Sequence, residues 1–402
     1  MDTTPRLTFV NFKKDSYIVV EGNQNTDRFF IIREGRVRIS KVVKVVKEDG
    51  GDILGPGDFF AVVSAMSAHS HIETAQAATD CTVISVPKEQ YGEFIQKNTA
   101  VAMKIILQFS KRMRYLDAAL TKLTLKNNAD EDVSQLFNVG EYYAKINQFN
   151  LAYYVYSRYL KHCPQGEHGT LIRERMKKIA PYVTSVRKEF PPDEFTRKYA
   201  KDTMIFSEGE PGDELYIIQK GAVKIAKIAD NNEILLAVLK PGDIFGEMAL
   251  LESKPRTACA LAYEDCVLLM VSRANFTNVV VVQPQIIAKL TVLLAERIWF
   301  IYKQLANTLI DNPLGRIYDA LVLQLEKNRV NFTVEQPYAF DFGLKELVNM
   351  VGLSPEEGYM MMKKIMENRK IQLVNDKIYV LDIRDIAQQA QMYRRTARKA
   401  KG

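Results

Sequence analysis

The chain has 402 residues, with 55 Lys and Arg against 48 Asp and Glu, a formal net charge of +7. That length points to two or three domains, and 47% hydrophobic with 26% charged residues excludes wholesale disorder, a collagen-like repeat and a multi-span membrane protein. The most apolar segment, residues 285–302, contains Lys289, Glu296 and Arg297, so no membrane association is expected. The four cysteines (Cys81, Cys163, Cys259 and Cys266) lack CxxC spacing, which argues against a disulfide framework and a zinc site. With no secretory layout at the N-terminus, a reduced, cytoplasmic location is expected.

In chain order, the first feature is a repeat. The segment Tyr17-Ile-Val-Val-Glu-Gly recurs as Met204-Ile-Phe-Ser-Glu-Gly, and Gly55-Pro-Gly-Asp-Phe-Phe as Lys240-Pro-Gly-Asp-Ile-Phe. One β-module is therefore used twice, over 1–97 and 190–283. Short alternating apolar stretches punctuated by Gly, Pro, Asn and Asp predict a small antiparallel barrel or jelly roll for each. A helix follows each copy. Over 98–126, Ile105, Phe109, Met113, Leu116, Leu120 and Leu123 fall at helical spacing. Over 284–311, Ile287, Leu294, Ile301 and Thr308 alternate with Thr291, Ile298 and Leu305. Steps of four and three make a coiled-coil seam, and the seam predicts a homodimer, with a helix packed on its own domain as the alternative.

Between the modules, 130–182 carries Leu136, Gly140, Tyr143, Phe149, Ala152, Tyr156, Leu160 and Pro164 in a pattern that resembles a single tetratricopeptide unit. It is expected to act as a spacer, with a protein partner as the alternative. Asn312-Pro313 closes the long helix. In 312–385, two short helices joined around Gly352-Leu353-Ser354 and a hairpin from Ile371 predict a winged helix-turn-helix. The remaining 386–402 holds five basic residues and no acid, leaving 50 basic against 48 acidic residues before it. It is read as a mobile basic tail.

The most specific stretch runs from Pro241 to Ala258. Gly246 allows close backbone approach, Arg256 offers a permanently charged fork for phosphate oxygens, and Glu247 accepts only, so a sugar hydroxyl suits it. This stretch resembles the phosphate-binding cassette of the cyclic nucleotide-binding domain family. The resemblance implies that Glu247 holds ribose and Arg256 the cyclic phosphate, with Gly246, Met248, Thr257 and Ala258 completing the ligand site. From Phe195 to Asp385 the order of β-domain, long helix, a Gly315-Arg316-Ile317 hinge and winged helix resembles the catabolite activator protein (Crp/Fnr-like) family of transcription regulators. The family makes cyclic AMP the default effector. Cyclic GMP stays open, because Thr257 can reach a guanine amino group and because Ile301 and Tyr302 replace the polar pair that meets adenine on the dimer helix.

The first copy departs from that pattern. Ala61 and Val62 stand where Gly246 and Glu247 stand, and either His71, counted without a gap, or Glu73, with two extra residues, takes the place of Arg256. Neither is a permanent cation, so this copy is a degenerate domain with a structural or partner-binding role. His69 and His71 are read as solvated loop residues, not metal ligands. On the recognition helix the guanine-reading arginines of the family become Pro355 and Met360. Ser354, Glu356, Lys363 and Lys364 remain as DNA-contact candidates, with Arg394 and Arg395 of the tail. Residues 312–385 hold 10 basic and 11 acidic residues, unfavourable for phosphate neutralisation.

The expectation is thus an α+β multidomain chain: two jelly rolls, long dimerisation helices, a tetratricopeptide-like insert and a winged helix-turn-helix. Two functions are consistent with it. One is a cyclic-nucleotide-responsive dimeric transcription regulator; the other is a nucleotide-sensing interaction protein whose winged helix no longer reads DNA. No nucleophile–base spacing or metal-ligand set supports an enzyme.

Overall fold

The repeat in the sequence is a repeat of strand order. The computed structural model describes residues 8–41, 52–125, 133–185, 189–191, 194–229 and 232–399. In the first module, β1 (Thr8–Phe12), β2 (Tyr17–Val19), β3 (Arg28–Glu34), β4 (Val37–Ser40), β5 (Ile53–Leu54), β6 (Phe59–Phe60), β7 (Thr74–Ala77) and β8 (Cys81–Pro87) form two antiparallel sheets. Their orders are β1-β8-β3-β6 and β2-β7-β4-β5, with helix α1 (Val62–Ser67) between β6 and β7. Inward residues such as Phe30, Ile32, Val37, Ala75 and Val83 alternate along the strands and make one core between the sheets. Helices α2 (Tyr91–Lys97) and α3 (Thr99–Leu125) follow, and then α4 (Gln135–Lys145), α5 (Phe149–His162) and α6 (Gly169–Ile179).

The second module repeats the plan with β9 (Thr196–Tyr199), β10 (Met204–Phe206), β11 (Glu214–Lys220), β12 (Val223–Ala229), β13 (Asn232–Leu239), β14 (Ile244–Phe245), α7 (Glu247–Glu252), β15 (Cys259–Ala262) and β16 (Cys266–Ser272). Its sheets are β14-β11-β16-β9 and β10-β15-β12-β13, the same two orders strand for strand. Helices α8 (Arg273–Val282), α9 (Pro284–Thr308) and α10 (Pro313–Lys327) lead into β17 (Tyr338–Ala339), α11 (Leu344–Met350), α12 (Pro355–Met366), the hairpin β18 (Ile371–Val374) and β19 (Lys377–Val380), and α13 (Ile383–Lys399). The chain is an α+β multidomain protein with two jelly-roll-like modules.

The chain divides into two compact units, and neither is a continuous stretch. One takes Met1–Tyr91, Tyr115–Lys126 and Leu294–Gly402; the other takes Gly92–Arg114 and Asn127–Leu293. Each unit therefore combines a β-module with a segment of the long helix that grows from the other module. In the first unit the Trp299 indole N–H donates to the Ser70 carbonyl at 3.1 Å, and its ring stacks on His69 at 3.9 Å between centroids. Arg329 donates to the Ser67 carbonyl, at 3.2 Å, and to Glu296 at 3.0 Å.

Two sequence expectations meet the structure here. Along the α9 seam, Ile287, Thr291, Leu294, Ile298 and Leu305 are 0% exposed and Ile301 is buried. The seam residues on which the homodimer expectation rested are thus buried side chains, and the homodimer stays an expectation. The histidines are not solvated. Burial first, then the nearby charges of Arg329 and Lys303, lowers the His69 pKa to about 4. His71 is 4% exposed, and its Nε2 lies 2.9 Å from the Asn25 carbonyl oxygen.

The helices of the insert do not stand apart. Leu136, Val139, Tyr143, Ala152, Val155 and Tyr156 share a cluster with Met204, Ile228, Cys259 and Leu261 of the second module. Gly140 makes the crossing possible, since a Cβ there would meet the Tyr156 ring. Tyr154 donates to Glu210 at 2.8 Å, and Arg158 pairs with the same carboxylate at 3.1 Å. Residues of the second module's sheet thus cover part of the apolar surface of these helices.

In the C-terminal piece, Asn312 caps α10 by accepting from the Leu314 N–H at 2.9 Å. Residues Gly315 to Ile317, expected as a hinge, are helical; the break lies just before them. Ser354 and Glu357 form a capping box at the start of α12, and Gly358 lets α12 close on Val348 of α11. Residues 386–399 are not a mobile tail. They belong to α13, whose Ile383, Ile386 and Ala390 are buried against α10, where Arg394 is ion-paired with Asp319. Positions 400–402 lie outside the described residues.

If the seam is an intrachain core, Leu294→Ala and Ile298→Ala should each destabilise the protein by about 2–5 kcal/mol. The melting temperature of the wild type should not depend on protein concentration. A midpoint that rises with concentration would place the seam between two chains.

Candidate ligand-binding site

The cassette of the second module starts where β14 ends. Gly246 sits at φ +78°, the left-handed conformation that favours glycine, and turns the chain into α7. A Cβ here would also come within 2.7 Å of an Arg256 terminal nitrogen. Glu247 opens α7 and is 1% exposed; Met248 and Ala249 behind it are buried. The loop after α7 then brings back Arg256, 4% exposed, with Thr257 half-buried and Ala258 buried beside it. Gly246, Glu247, Met248, Arg256, Thr257 and Ala258 thus lie along one turn, helix and loop, residues 246–258.

Arg256 is held from several sides. One terminal nitrogen donates to the carbonyls of Gly246, at 2.6 Å, and Glu214, at 2.8 Å. The guanidinium lies 4.2 Å from the centroid of the Phe206 ring. Its backbone N–H donates to the Glu210 carbonyl at 2.9 Å, and Glu210 is the residue gripped by Tyr154 and Arg158 of the insert. The Arg256 Nε is buried with no hydrogen-bond partner among the described residues. A buried cationic donor left unpaired is costly, and an anionic oxygen would satisfy it. Behind Arg256, Glu214 takes a bidentate pair from Arg197 at 2.8 and 2.9 Å. Burial works to raise the Glu214 pKa, but hydrogen bonds from Arg197 and Tyr216 outweigh it and hold the carboxyl below its usual range.

Gly212, Phe206, Glu214 and Glu210 were not singled out from the sequence. A Cβ at Gly212 would overlap the Arg256 guanidinium, and the sequence signal for it is that the first copy, one residue longer in this loop, has no glycine there, only Asn25 and Thr26. The glycine occurs in the copy that has the arginine.

The first module shows the same backbone with different chemistry. Gly22 N–H donates to the His71 carbonyl and His71 N–H to Asn23, as Gly209 donates to Arg256 and Arg256 to Glu210. His71 is therefore the positional counterpart of Arg256, and the gap-free count is correct. Ala61 keeps the left-handed turn at φ +61° without being glycine. Its N–H donates to Glu73 at 3.3 Å, so a carboxylate of the chain already occupies the amide at that turn. Burial lowers the His71 pKa despite its contact with Asn25, which keeps the ring neutral near pH 7. This copy presents a neutral ring and an anion where the second presents a cation.

Ile301 and Tyr302, expected on the purine side, are buried in the first unit, where the Lys41 Nζ lies 5.5 Å from the centre of the Tyr302 ring. Inside its own unit the Glu247–Arg256 segment is reached by Ser110 and Arg114 of α3. Of the DNA-contact candidates, Ser354 caps α12, and Glu356, Lys363 and Lys364 are exposed along it. Arg395 is exposed on α13, whereas Arg394 is engaged by Asp319. No cluster of three metal-ligating side chains occurs among the described residues.

The family model for the cyclic nucleotide-binding domain matches residues 9–98 and 196–281, one match on each module. Over 209 residues the chain is 27% identical to the CRP-like cAMP-activated global transcriptional regulator of Mycobacterium tuberculosis, covering 52% of this chain and 92% of that protein. It is 36% identical over 103 residues to the cyclic AMP receptor protein of Thermus thermophilus, covering 25% of this chain and 48% of that protein. Among solved structures, a CRP/FNR-family transcriptional regulator from Thermus thermophilus aligns at 21% identity and a TM-score of 0.37, over 49% of this chain and 98% of that one. Each of the two modules thus matches the cyclic nucleotide-binding domain model, and the chain is similar over about half its length to Crp-like cAMP-activated regulators; the first module lacks the cassette residues of the second.

Replacing Arg256 by Ala is expected to weaken cyclic AMP binding by about 2–5 kcal/mol, measured by calorimetry on the intact chain. His71→Ala and Glu73→Gln should leave the affinity unchanged. Equal losses in both modules would contradict the assignment of the site to the second.

Proposed function

We propose that the chain is a cyclic-nucleotide-responsive transcription regulator whose effector binds the second module. The observation that carries this is the buried, partly unpaired Arg256 beside the Gly246 turn and the buried Glu247. Arg256 binds the cyclic phosphate and Glu247 accepts from the ribose hydroxyl, with Met248, Thr257 and Ala258 lining the segment between them. Cyclic AMP is the favoured effector, because the regulators to which this chain is similar are named as cAMP-activated. Cyclic GMP is the competitor to be tested. No metal is needed, since a guanidinium supplies the phosphate-binding charge.

In this reading residues 312–385 are a winged helix-turn-helix and α12 is its recognition helix. Ser354, Glu356, Lys363, Lys364 and Arg395 contact DNA, and Arg394 serves the fold through Asp319. The helices over 130–182 act as a tetratricopeptide-like spacer seated on the second module. Ligand binding shifts a population between two arrangements of the output piece. Membrane attachment through a spanning helix has no support among the described residues, where no helix is long and apolar enough to cross a bilayer. A cytoplasmic location fits this function.

One observation favours the second reading, a sensing module that docks protein instead of DNA. Tyr359 and Met360 on α12 are 70% and 55% exposed, and Leu373 and Val374 at the hairpin are exposed as well. Such a surface is more apolar than phosphate contact requires.

Filter retention of duplex DNA across a salt series, with and without cyclic AMP, separates the two. The regulator reading expects ligand-enhanced binding that falls steeply with salt, and a slope smaller by about 2 in Lys363→Ala/Lys364→Ala. Ligand-independent or salt-insensitive retention would contradict it and favour protein docking.

A further inference from the structure

We propose that Ser110 and Arg114 of α3 are positioning residues for the second module's cassette, so that the helix following the first module completes the ligand site of the second within one chain. The proposal deepens the reading of Glu247–Arg256 as a cyclic nucleotide site and rests on it.

Glu252 is the last residue of α7, and its carboxylate is nearly fully buried. Ser110 Oγ donates to its Oε1 at 2.7 Å and Arg114 Nε to its Oε2 at 3.1 Å. The same guanidinium donates through a terminal nitrogen to the Pro255 carbonyl at 3.3 Å. Pro255 immediately precedes Arg256. One arginine of α3 therefore ties together the end of the cassette helix and the residue that leads into the phosphate-binding arginine. The exposed Lys254, at 3.8 Å from Glu252, is a minor further partner. Arg273 of the second module holds the other side of the loop, at the Ser253 hydroxyl and the Ala249 carbonyl.

A buried charged clamp is an unusual way to fasten two helices, because desolvation cancels much of its attraction and apolar packing would fasten them as well. What it adds is geometry: a guanidinium fork fixes direction as well as distance. The matching contact in the first unit lacks it. There Trp299 and Arg329 reach the backbone carbonyls of Ser70 and Ser67, and residues 62–70 contain no carboxylate for them to pair with. The directional clamp occurs on the module that has the phosphate-binding arginine. A displacement of α3 would move Pro255 and hence Arg256, and ligand held by Arg256 would restrain α3 in return.

The test uses the full chain and the mild variants Ser110→Ala, Arg114→Lys and Glu252→Gln, which preserve volume or polarity. Two quantities are measured: calorimetric affinity for cyclic AMP, and hydrogen exchange of amides 247–256 without ligand. We expect about tenfold weaker binding for Arg114→Lys and Glu252→Gln, and no further loss in the double variant, because both remove one interaction. Exchange over 247–256 should accelerate about fivefold, while α10 keeps its wild-type protection. Unchanged affinity and exchange would overturn the proposal, as would a loss of protection spread evenly over the chain. If the wild type binds neither cyclic AMP nor cyclic GMP, the ligand reading fails by itself. The exchange measurement then still decides whether α3 positions the segment.

Discussion

A helix of some 25 residues with a continuous apolar stripe must bury that stripe, and where it does so sets the architecture around it. In this chain the seam residues of α9 are buried, as are Ile105, Phe109 and Met113 of α3. Each compact unit then takes its β-module from one half of the sequence and a long-helix segment from the other.

The first copy keeps the backbone of the second and differs from it in side-chain chemistry. Both copies retain the same sheet orders and the same backbone hydrogen bonds around the turn, but Ala61 stands in place of Gly246 and His71 in place of Arg256, and the loop of the first copy has no glycine to match Gly212. The buried guanidinium of the second copy is difficult to accommodate. It needs two carbonyls, an aromatic face, a missing side chain at Gly212 and a neighbouring Arg197–Glu214 pair. Such a set of compensations points to a charge kept for use, because an apolar residue would fill the space with less strain on the surroundings.

Much of this was legible in the sequence, for local reasons. The repeat, the jelly-roll pattern and the cassette are carried by turn glycines, alternation and adjacent residues. What escaped was non-local. The seam of α9 reads the same whether its partner is another chain or another part of this one. The basic residues near the C-terminus suggested a solvated arm, yet Ile383, Ile386 and Ala390 already carried a helical stripe, and Asp319, 75 residues away, neutralises Arg394. His69 and His71 looked like loop residues because nothing near them in sequence announces Trp299 or the Asn25 carbonyl. Ser110 and Arg114 lie 142 and 138 residues from the Glu252 carboxylate they hold.

The central claim is that one chain carries two cyclic nucleotide-binding domains and a single working site. The most direct test is the stoichiometry of cyclic AMP binding to the intact protein, from calorimetry at a known concentration of active chain. The account requires one ligand per 402-residue chain. A stoichiometry of two would show that the first module binds without a cationic residue at its cassette, and the absence of binding would remove the effector role of Arg256 altogether.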